Sequence, residues 1–398
     1  MANGGLNDSA RDFSRARWEP RAFPTEGDIL GIALAERGRW LFTRTRREVH
    51  AWDLEGGEGV AAEWDLDAGQ TVEEGQEMEM ERVLQVEQDD GDILLHIPHM
   101  TGKHINSQIL SFSPTTRKFD LLRALHTAQL PSATRTFSLS GSLVASEYET
   151  AITIWDWRKD EWITFTEDNF FDEPECPLHT SVQLHLAPPR VFAIWGGELK
   201  IFQLPALRPR RAQNKPAFLT LSPILKLALQ LAPNANPCLG RIVSVEGIRG
   251  WDVALMYPLE GRYAFYFYAV RAHAVAPGVA AFTTLPLSVL GFALELDALS
   301  FSMHPLSNDP PLNKFFAQLH NDTPVPATLA VVPSKKGPYA LFPVMGMVWL
   351  LHAGRNHTAL LTCARLEEPV SADAEIVWDA KGRAVLLNRK KVTVLNML

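Results

Sequence analysis

Three histidines fall within nine residues, His96, His99 and His104 in the run HIPHMTGKH. A structural or catalytic metal needs three or four convergent N, S or O ligands, themselves held by outer partners. No cysteine or carboxylate stands at a supporting spacing, so the run reads as a strand passing into a loop with ordinary surface histidines, and His352 and His357 read the same way. The cysteines, Cys176, Cys238 and Cys363, are odd in number, far apart and free of any CxxC pair. That argues against a disulfide framework or zinc ribbon and suits a reducing compartment. Gly141 lies between Ser140 and Ser142, but no G-x-S-x-G nucleophile elbow occurs, and there is no P-loop or G-x-G-x-x-G. Carboxylates are plentiful without any pair that stands out as an acid and base. The expectation is a chain with no catalytic residue, no metal and no cofactor.

Other residues suit the recognition of a partner. The segment 73–92 is densely acidic, beginning at Glu73 and Glu74, and is expected to be a solvated loop able to dock a basic partner. Arg208, Arg210 and Arg211 with Lys215 form a basic, proline-punctuated counterpart that reads first as a linker. Phe170 and Phe171 stand in an acidic stretch, TEDNFFDEPEC. Burial against a neighbouring element is one reading of these rings, and an aromatic anchor for a protein partner is the other. The formal net charge of −8 gives no general attraction for phosphate backbones, so general nucleic-acid binding is not expected. The N-terminus lacks the apolar core of a secretory signal, and no window has the roughly 18 apolar residues of a membrane span. A cytoplasmic or nuclear protein that does not enter membranes is expected.

The elements that must carry these residues repeat. The stretch 137–157, FSLSGSLVASEYETAITIWDW, is a small-residue turn, an apolar strand, a polar turn and an alternating strand ending in Trp155-Asp156. A second copy, LAERGRWLFTRTRREVHAWDL, occupies 34–54 and ends in Trp52-Asp53, with Gly38 as far before Trp52 as Gly141 is before Trp155. A third Trp-Asp pair is Trp378-Asp379. Short strands recurring at a period of about 40–50 residues are the mark of a propeller built from four-stranded blades. The fold class expected is therefore all-β, a WD-like β-propeller of antiparallel blades, seven in number with eight as the alternative. In that setting each Trp packs between blades and each Asp satisfies a turn backbone.

The strands expected in the first blade are 29–34, 40–44 and 49–54, and in the second 82–88, 93–97 and 108–113. Residues 119–125 open the third blade, and 182–186, 191–194 and 199–204 make the fourth. The fifth takes 240–245, 253–257 and 263–270; the sixth 279–283, 289–295 and 299–303; the seventh 328–332, 340–344, 348–352 and 359–365. Residues 375–379, 384–387 and 392–397 form a terminal set that shares ring closure with the other end of the chain. Residues 225–231 fit a helix or a strand equally. The domain reading is a polar segment over 1–24 and one propeller over 25–398, with loop insertions near 55–80, 205–218 and 304–326.

The run from Leu143 to Phe165, LVASEYETAITIWDWRKDEWITF, resembles a recurring blade of fungal F-box-type proteins. The shared elements are the alternating strand 151–154, the Trp155-Asp156-Trp157 ending and the polar turn 158–161; the inner-strand pattern of 379–395 also fits. The resemblance implies a propeller that selects substrates for a ubiquitin ligase, so ligase components become candidate partners. Met1 to Pro24 departs from the pattern, being short, polar and arginine-rich where an F-box is helical and rich in leucine and proline. The function expected is a non-catalytic interaction module or scaffold that binds a peptide or protein on a propeller rim. Two alternatives stay open: an F-box-related substrate receptor, and an enzyme with its site at the channel mouth.

Overall fold

The computed structural model describes residues 17–20, 23, 28–66, 85–127, 136–167, 184–228, 239–292, 330–370 and 374–396, apart from short stretches within these ranges. Among the described residues every regular element is a strand, and the strands form seven sheets. In each sheet four strands are antiparallel neighbours, most of them joined by short connections.

Sheet 1 contains Gly31–Ala35, Trp40–Arg44, Glu48–Asp53 and Val60–Asp65. Sheet 2 contains Gln85–Asp89, Asp92–Thr101, His104–Ser113 and Lys118–Thr127. Sheet 3 contains Thr136–Ser140, Leu143–Tyr148, Ala151–Asp156 and Glu161–Glu167. Sheet 4 contains Leu184–Ala187, Arg190–Trp195, Glu198–Gln203 and Leu225–Ala228. Sheet 5 contains Leu239–Ser244, Gly250–Leu259, Arg262–Ala276 and Val279–Phe292. Sheet 6 contains Ala330–Val332, Tyr339–Val344, Gly346–Ala353 and Ala359–Val370. Sheet 7 takes Glu375–Trp378, Arg383–Asn388 and Lys391–Asn396 from the C-terminal end and its outer strand, Arg17–Pro20, from the N-terminal end.

The first strand of each sheet lies beside the first strand of the next, and the circuit closes where Glu375–Trp378 meets Gly31–Ala35. The sheets therefore stand around a common axis and pack face to face. Trp40, Phe42 and Val49 of sheet 1 meet Ile93, Leu95 and Phe112 of sheet 2 in one buried cluster. Phe112 anchors it, edge-on to Trp40 at 4.8 Å and to Phe42 at 5.4 Å between ring centroids. Such pairs add roughly 0.5–1.5 kcal/mol beyond area burial. Leu94, Ile109 and Leu125 of sheet 2 meet Val144 and Trp155 of sheet 3, and Ala145, Ile152 and Phe165 of sheet 3 meet Leu184, Val191 and Phe202 of sheet 4. Leu41 and Trp52 of sheet 1 meet Val385, Val392 and Val394 of sheet 7. A strand buried on both faces carries apolar side chains on successive residues, which is why the inner strands read as short continuous runs.

Several expectations need correction. Residues 119–125 do not open a new blade; they belong to Lys118–Thr127, the outer strand of sheet 2, which turns back at Arg117 with φ of 53°. Residues 279–283 and 289–295 were expected in two strands of a separate blade. Instead 279–292 is one strand, the outer strand of sheet 5, and the register slips where Pro286 interrupts the ladder. Val60–Asp65 is a strand inside the expected 55–80 insertion. Of the stretch 225–231, open between helix and strand in the sequence, residues 225–228 are a strand and 229–231 lie outside the described residues. Arg17–Pro20, placed in the polar N-terminal segment, is the outer strand of sheet 7, with Arg17 opposite Asn396 and Pro20 opposite Thr393. Proline is tolerated there because an edge position need not donate to a ladder.

Candidate interaction surface

Trp52-Asp53 and Trp155-Asp156 close the third strands of sheets 1 and 3 in the same register, Trp52 opposite Leu41 and Trp155 opposite Val144. Both indoles are buried between sheets. Their N–H groups go to different places: Trp52 Nε1 donates to Thr43 Oγ1 at 2.9 Å, whereas Trp155 Nε1 donates to Asp160 Oδ1 at 3.3 Å. The aspartates hold the following turns. Asp53 Oδ1 accepts from the Glu55 amide, and Asp156 Oδ1 accepts from the amides of Arg158 and Lys159. Gly38 and Gly141, the equally spaced turn glycines, both have positive φ, 79° and 56°. Nothing lies within 4 Å of a Cβ built on Gly141, so conformation and not space calls for glycine there. Trp378-Asp379 is not equivalent to the other two pairs. Trp378 ends the first strand of sheet 7, opposite Ala384, and Asp379 lies outside the described residues.

On the face formed by the turns between first and second and between third and fourth strands, charged groups tie neighbouring sheets. Arg39 holds Asp53 through Nε at 3.2 Å and Nη2 at 3.0 Å, and Arg117 of sheet 2 reaches the same carboxylate at 3.5 Å. These hydrogen bonds from Arg39, opposed by burial, hold the Asp53 carboxyl below its ordinary value. Gly56 allows the next turn to pass this carboxylate, since a Cβ there would sit 2.5 Å from Oδ2. Glu87 of sheet 2 accepts from the Gly141 amide of sheet 3 at 2.5 Å. Asp160 of sheet 3 receives Arg123 of sheet 2 at 3.7 Å and Arg210 at 3.4 Å. Arg383 of sheet 7 donates to the Gly38 carbonyl of sheet 1 and lies 3.9 Å from Glu55.

Arg210 belongs to a strap that returns to the outer edge of sheet 3. Arg208 and Pro209 pair antiparallel with Trp162 and Glu161, and Phe218–Leu221 pairs parallel with residues 164–167. The Arg210 amide also donates to the Asp160 carbonyl at 3.0 Å. The basic segment therefore contains sheet-forming residues where a plain linker was expected, and the Arg210 guanidinium is engaged within the chain.

The outer edges of sheets 1 and 2 differ. Their outer strands are neighbours and carry Val60, Leu121 and Leu122, three of the four large apolar residues that are exposed among the described residues, at 40, 46 and 41%. Each strand has a bulge at this place. In sheet 2 the ladder passes from Ile109↔Arg123 to Leu110↔Leu121 and skips Leu122. In sheet 1 it passes from Ala51↔Ala62 to Trp52↔Val60 and skips Ala61. Strict alternation puts consecutive side chains on opposite faces, and a bulge relaxes it, so Leu121 and Leu122 are both left open to solvent. The consecutive leucines in Phe119-Asp120-Leu121-Leu122-Arg123 break period-two alternation, and that was the available sequence signal.

Of the other candidates, His96 contradicts the surface reading: it is fully buried on the second strand of sheet 2. Burial first and the positive charge of Arg44 second press its pKa down to about 3. Arg44, His96 and Glu147 hold one register position in successive sheets, opposite the first residues of the inner strands, Gly31, Gln85 and Thr136, and all three are buried. His99 and His104 are paired in the hairpin of sheet 2 rather than placed in a loop. Lys200 lies 2.5 Å from the buried Glu167 carboxylate and 3.4 Å from Glu198, and Lys226 also pairs with Glu167. Among the described residues no group of three or more His, Cys, Asp or Glu side chains could hold a metal ion, and no helix is long and apolar enough to cross a membrane. Phe170, Phe171, Glu73, Glu74 and Arg211 lie outside the described residues.

No family model matches the chain, and no curated protein sequence matches it. Among solved structures, the β-propeller domain of Myceliophteria thermophila Cps50 (Swd1) superposes with a TM-score of 0.52 at 11% identity, over 95% of this chain and 99% of that one. The WD40 domain of SCAP from fission yeast gives a TM-score of 0.45 at 11% identity, over 96% and 98% of the two chains. A streptogramin B lyase gives 0.46 at 10% identity, over 96% and 97%. The Cps50 likeness, joined to the antiparallel four-stranded sheets, defines the class: this is an all-β, WD-like β-propeller. At this identity the likeness speaks to fold alone.

Proposed function

We propose that the chain is a non-catalytic protein-interaction module that holds a protein partner against the outer rim of sheets 1 and 2. The observation that carries this reading is the exposure of Val60, Leu121 and Leu122 on adjacent bulged strands. Exposed aliphatic residues on neighbouring strands, with charged residues beside them in sequence at Glu63, Asp120 and Arg123, have the make-up of an interface core and rim. The turn face of sheets 7 to 3 suits a partner less well, since its charges are committed to ties between sheets.

The test is affinity capture with the wild-type chain and with a Leu121→Ser/Leu122→Ser variant. The variant keeps its circular-dichroism spectrum and melting profile, because both side chains are exposed in the fold. Recovery of the partner falls about tenfold or more, as for loss of an interface anchor. Equal recovery by a folded variant rejects the rim as the site.

A narrower form of the reading rests on the resemblance of residues 143–165 to fungal F-box-type blades. It makes the propeller a substrate receptor whose ligase contact comes from another protein. Recurrent capture of ubiquitin-ligase components supports that form, and their repeated absence removes it.

A further inference from the structure

The outer strand of sheet 5, Val279–Phe292, differs from every other outer strand of the ring. Its sequence, VAAFTTLPLSVLGF, holds no Asp, Glu, Lys, Arg or His in 14 residues. Each of the other six outer strands carries charge, as at Glu63, Asp120, Glu161, Lys226, Glu367 and Arg17. Charge on an edge strand discourages pairing with another chain, and so does a covering segment. Sheet 3 has both, since its strap adds strands beyond Glu161–Glu167. Sheet 5 has neither among the described residues: its strand order ends at Val279–Phe292.

Among the described residues, part of this edge also lacks support from within. Gly250–Leu259 reaches only as far as Arg271, its partner at Gly250. Beyond that point Ala272–Ala276 and Val279–Phe282 continue as a ribbon of two strands, with Ala272 opposite Phe282 and Ala276 opposite Val279. Two strands alone are marginal in water, and a third makes such a ribbon stable. Farther along, the register slips between Phe267↔Ser288 and Tyr268↔Pro286, and Pro286 has no N–H to give. A second slip, between Ala274↔Ala280 and Ala276↔Val279, skips Val275 on the third strand of the sheet, while the uncharged run 279–285 itself has no skipped residue.

We propose that residues 279–285 pair antiparallel with the same residues of a second copy of this chain, so that sheet 5 continues from one copy into the other. Antiparallel pairing of identical strands is two-fold symmetric and brings each strand against itself. A charged strand would then set like charges opposite or diagonal to one another near the axis, which is unfavourable. Of the seven outer strands this one alone is free of charge along its whole length, so a copy can pair with it without setting like charges together.

The test uses the full chain. Sedimentation velocity over roughly 1–100 µM shows a reversible dimer. Thr283→Lys and Thr283→Glu, made separately, each weaken it about fivefold, and a one-to-one mixture of the two recovers a dimer containing one of each by native mass spectrometry. Recovery in the mixture shows that the variants are folded. Hydrogen exchange supplies a second readout: amides within 279–285 gain protection as concentration rises, while those of Lys118–Thr127 do not. A wild-type monomer throughout the range overturns the proposal. So does a dimer indifferent to both substitutions, or protection at 279–285 that does not change with concentration.

Discussion

Arg39 closes on Asp53 through two hydrogen bonds, 3.2 and 3.0 Å long, one to each carboxylate oxygen, across the 14 residues that separate the first turn of sheet 1 from the end of its third strand. The forked contact fixes two turns against one another, and Arg117 of sheet 2 leans on the same carboxylate. Asp156 has Asp53's place in sheet 3 but holds mainly the backbone of its own turn, with Lys159 3.9 Å away.

Asp53→Ala therefore destabilises the chain more than Asp156→Ala, by about 2 kcal/mol against about 1, in urea unfolding at neutral pH. The acid limb gives a second check. The folded Asp53 pKa is lowered, so its contribution is present above the unfolded carboxylate value of about 3.9 and disappears as pH falls through the folded value. The gap between wild type and Asp53→Ala narrows as pH falls below 4. A gap that holds constant into strong acid contradicts the charged contact.

The two equivalent tryptophans give a different contrast. Trp52 Nε1 is bonded to Thr43 on the adjacent strand, while Ser146, which has Thr43's place in sheet 3, is not the partner of Trp155. A double-mutant cycle of Trp52→Phe with Thr43→Val yields a coupling energy of about 1 kcal/mol, and Trp155→Phe with Ser146→Ala yields about zero. Equal couplings in the two cycles rule out the difference in indole partners.

These two blades were legible because glycine, tryptophan and aspartate recur at one spacing, and that spacing is set by a left-handed turn at Gly38 and Gly141 and by one hairpin length. The dipeptide without the spacing misled: Trp378 ends a first strand, where it has no neighbours equivalent to those of Trp52 and Trp155. Outer strands were harder to read. They are half-exposed, so their apolar pattern is weak, and Val60–Asp65 was absorbed into a loop while 119–125 was given to the next blade. Leu122 and Pro286 each lie at a slip in register, and period-two reading fails at such places. His96 was misplaced because a histidine in a sequence gives no sign of burial; its neighbours on the strand, Leu95 and Ile97, were the better guide.

The strap over sheet 3 predicts uneven hydrogen exchange. Phe218–Leu221 covers part of the outer edge of Glu161–Glu167, and Leu219 and Leu221 pack on the core between sheets 3 and 4. Amides of residues 164–167 exchange more slowly than those of Val60–Asp65, which has no further strand beyond it among the described residues. Thr220→Pro lifts the strap by removing an N–H and disturbing the ladder, and raises exchange at 164–167 while sheet 1 keeps its protection. Uniform protection of the two outer strands speaks against the strap.

The last prediction concerns acid stability. His185, on the inner strand of sheet 4, lies beside Phe192 with 6.1 Å between ring centroids, and burial lowers its pKa to about 4. Its Nε2 is buried without a hydrogen-bond partner among the described residues. The folded protein thus keeps this ring neutral at pH values where the unfolded chain, with a histidine pKa of about 6.5, takes up a proton. The sign follows: the contribution is full above pH 6.5 and is lost as pH falls toward 4, at about 1.4 kcal/mol per pH unit across the window. His185→Phe removes the proton site and keeps a ring against Phe192. At pH 7.5 it changes stability little, within about 1 kcal/mol, and at pH 5 it is the more stable protein. His96, whose pKa lies still lower, keeps its own slope in the variant, so the loss of stability between pH 6.5 and 4 is reduced and not abolished. Parallel stability curves for wild type and His185→Phe over that range refute the assignment.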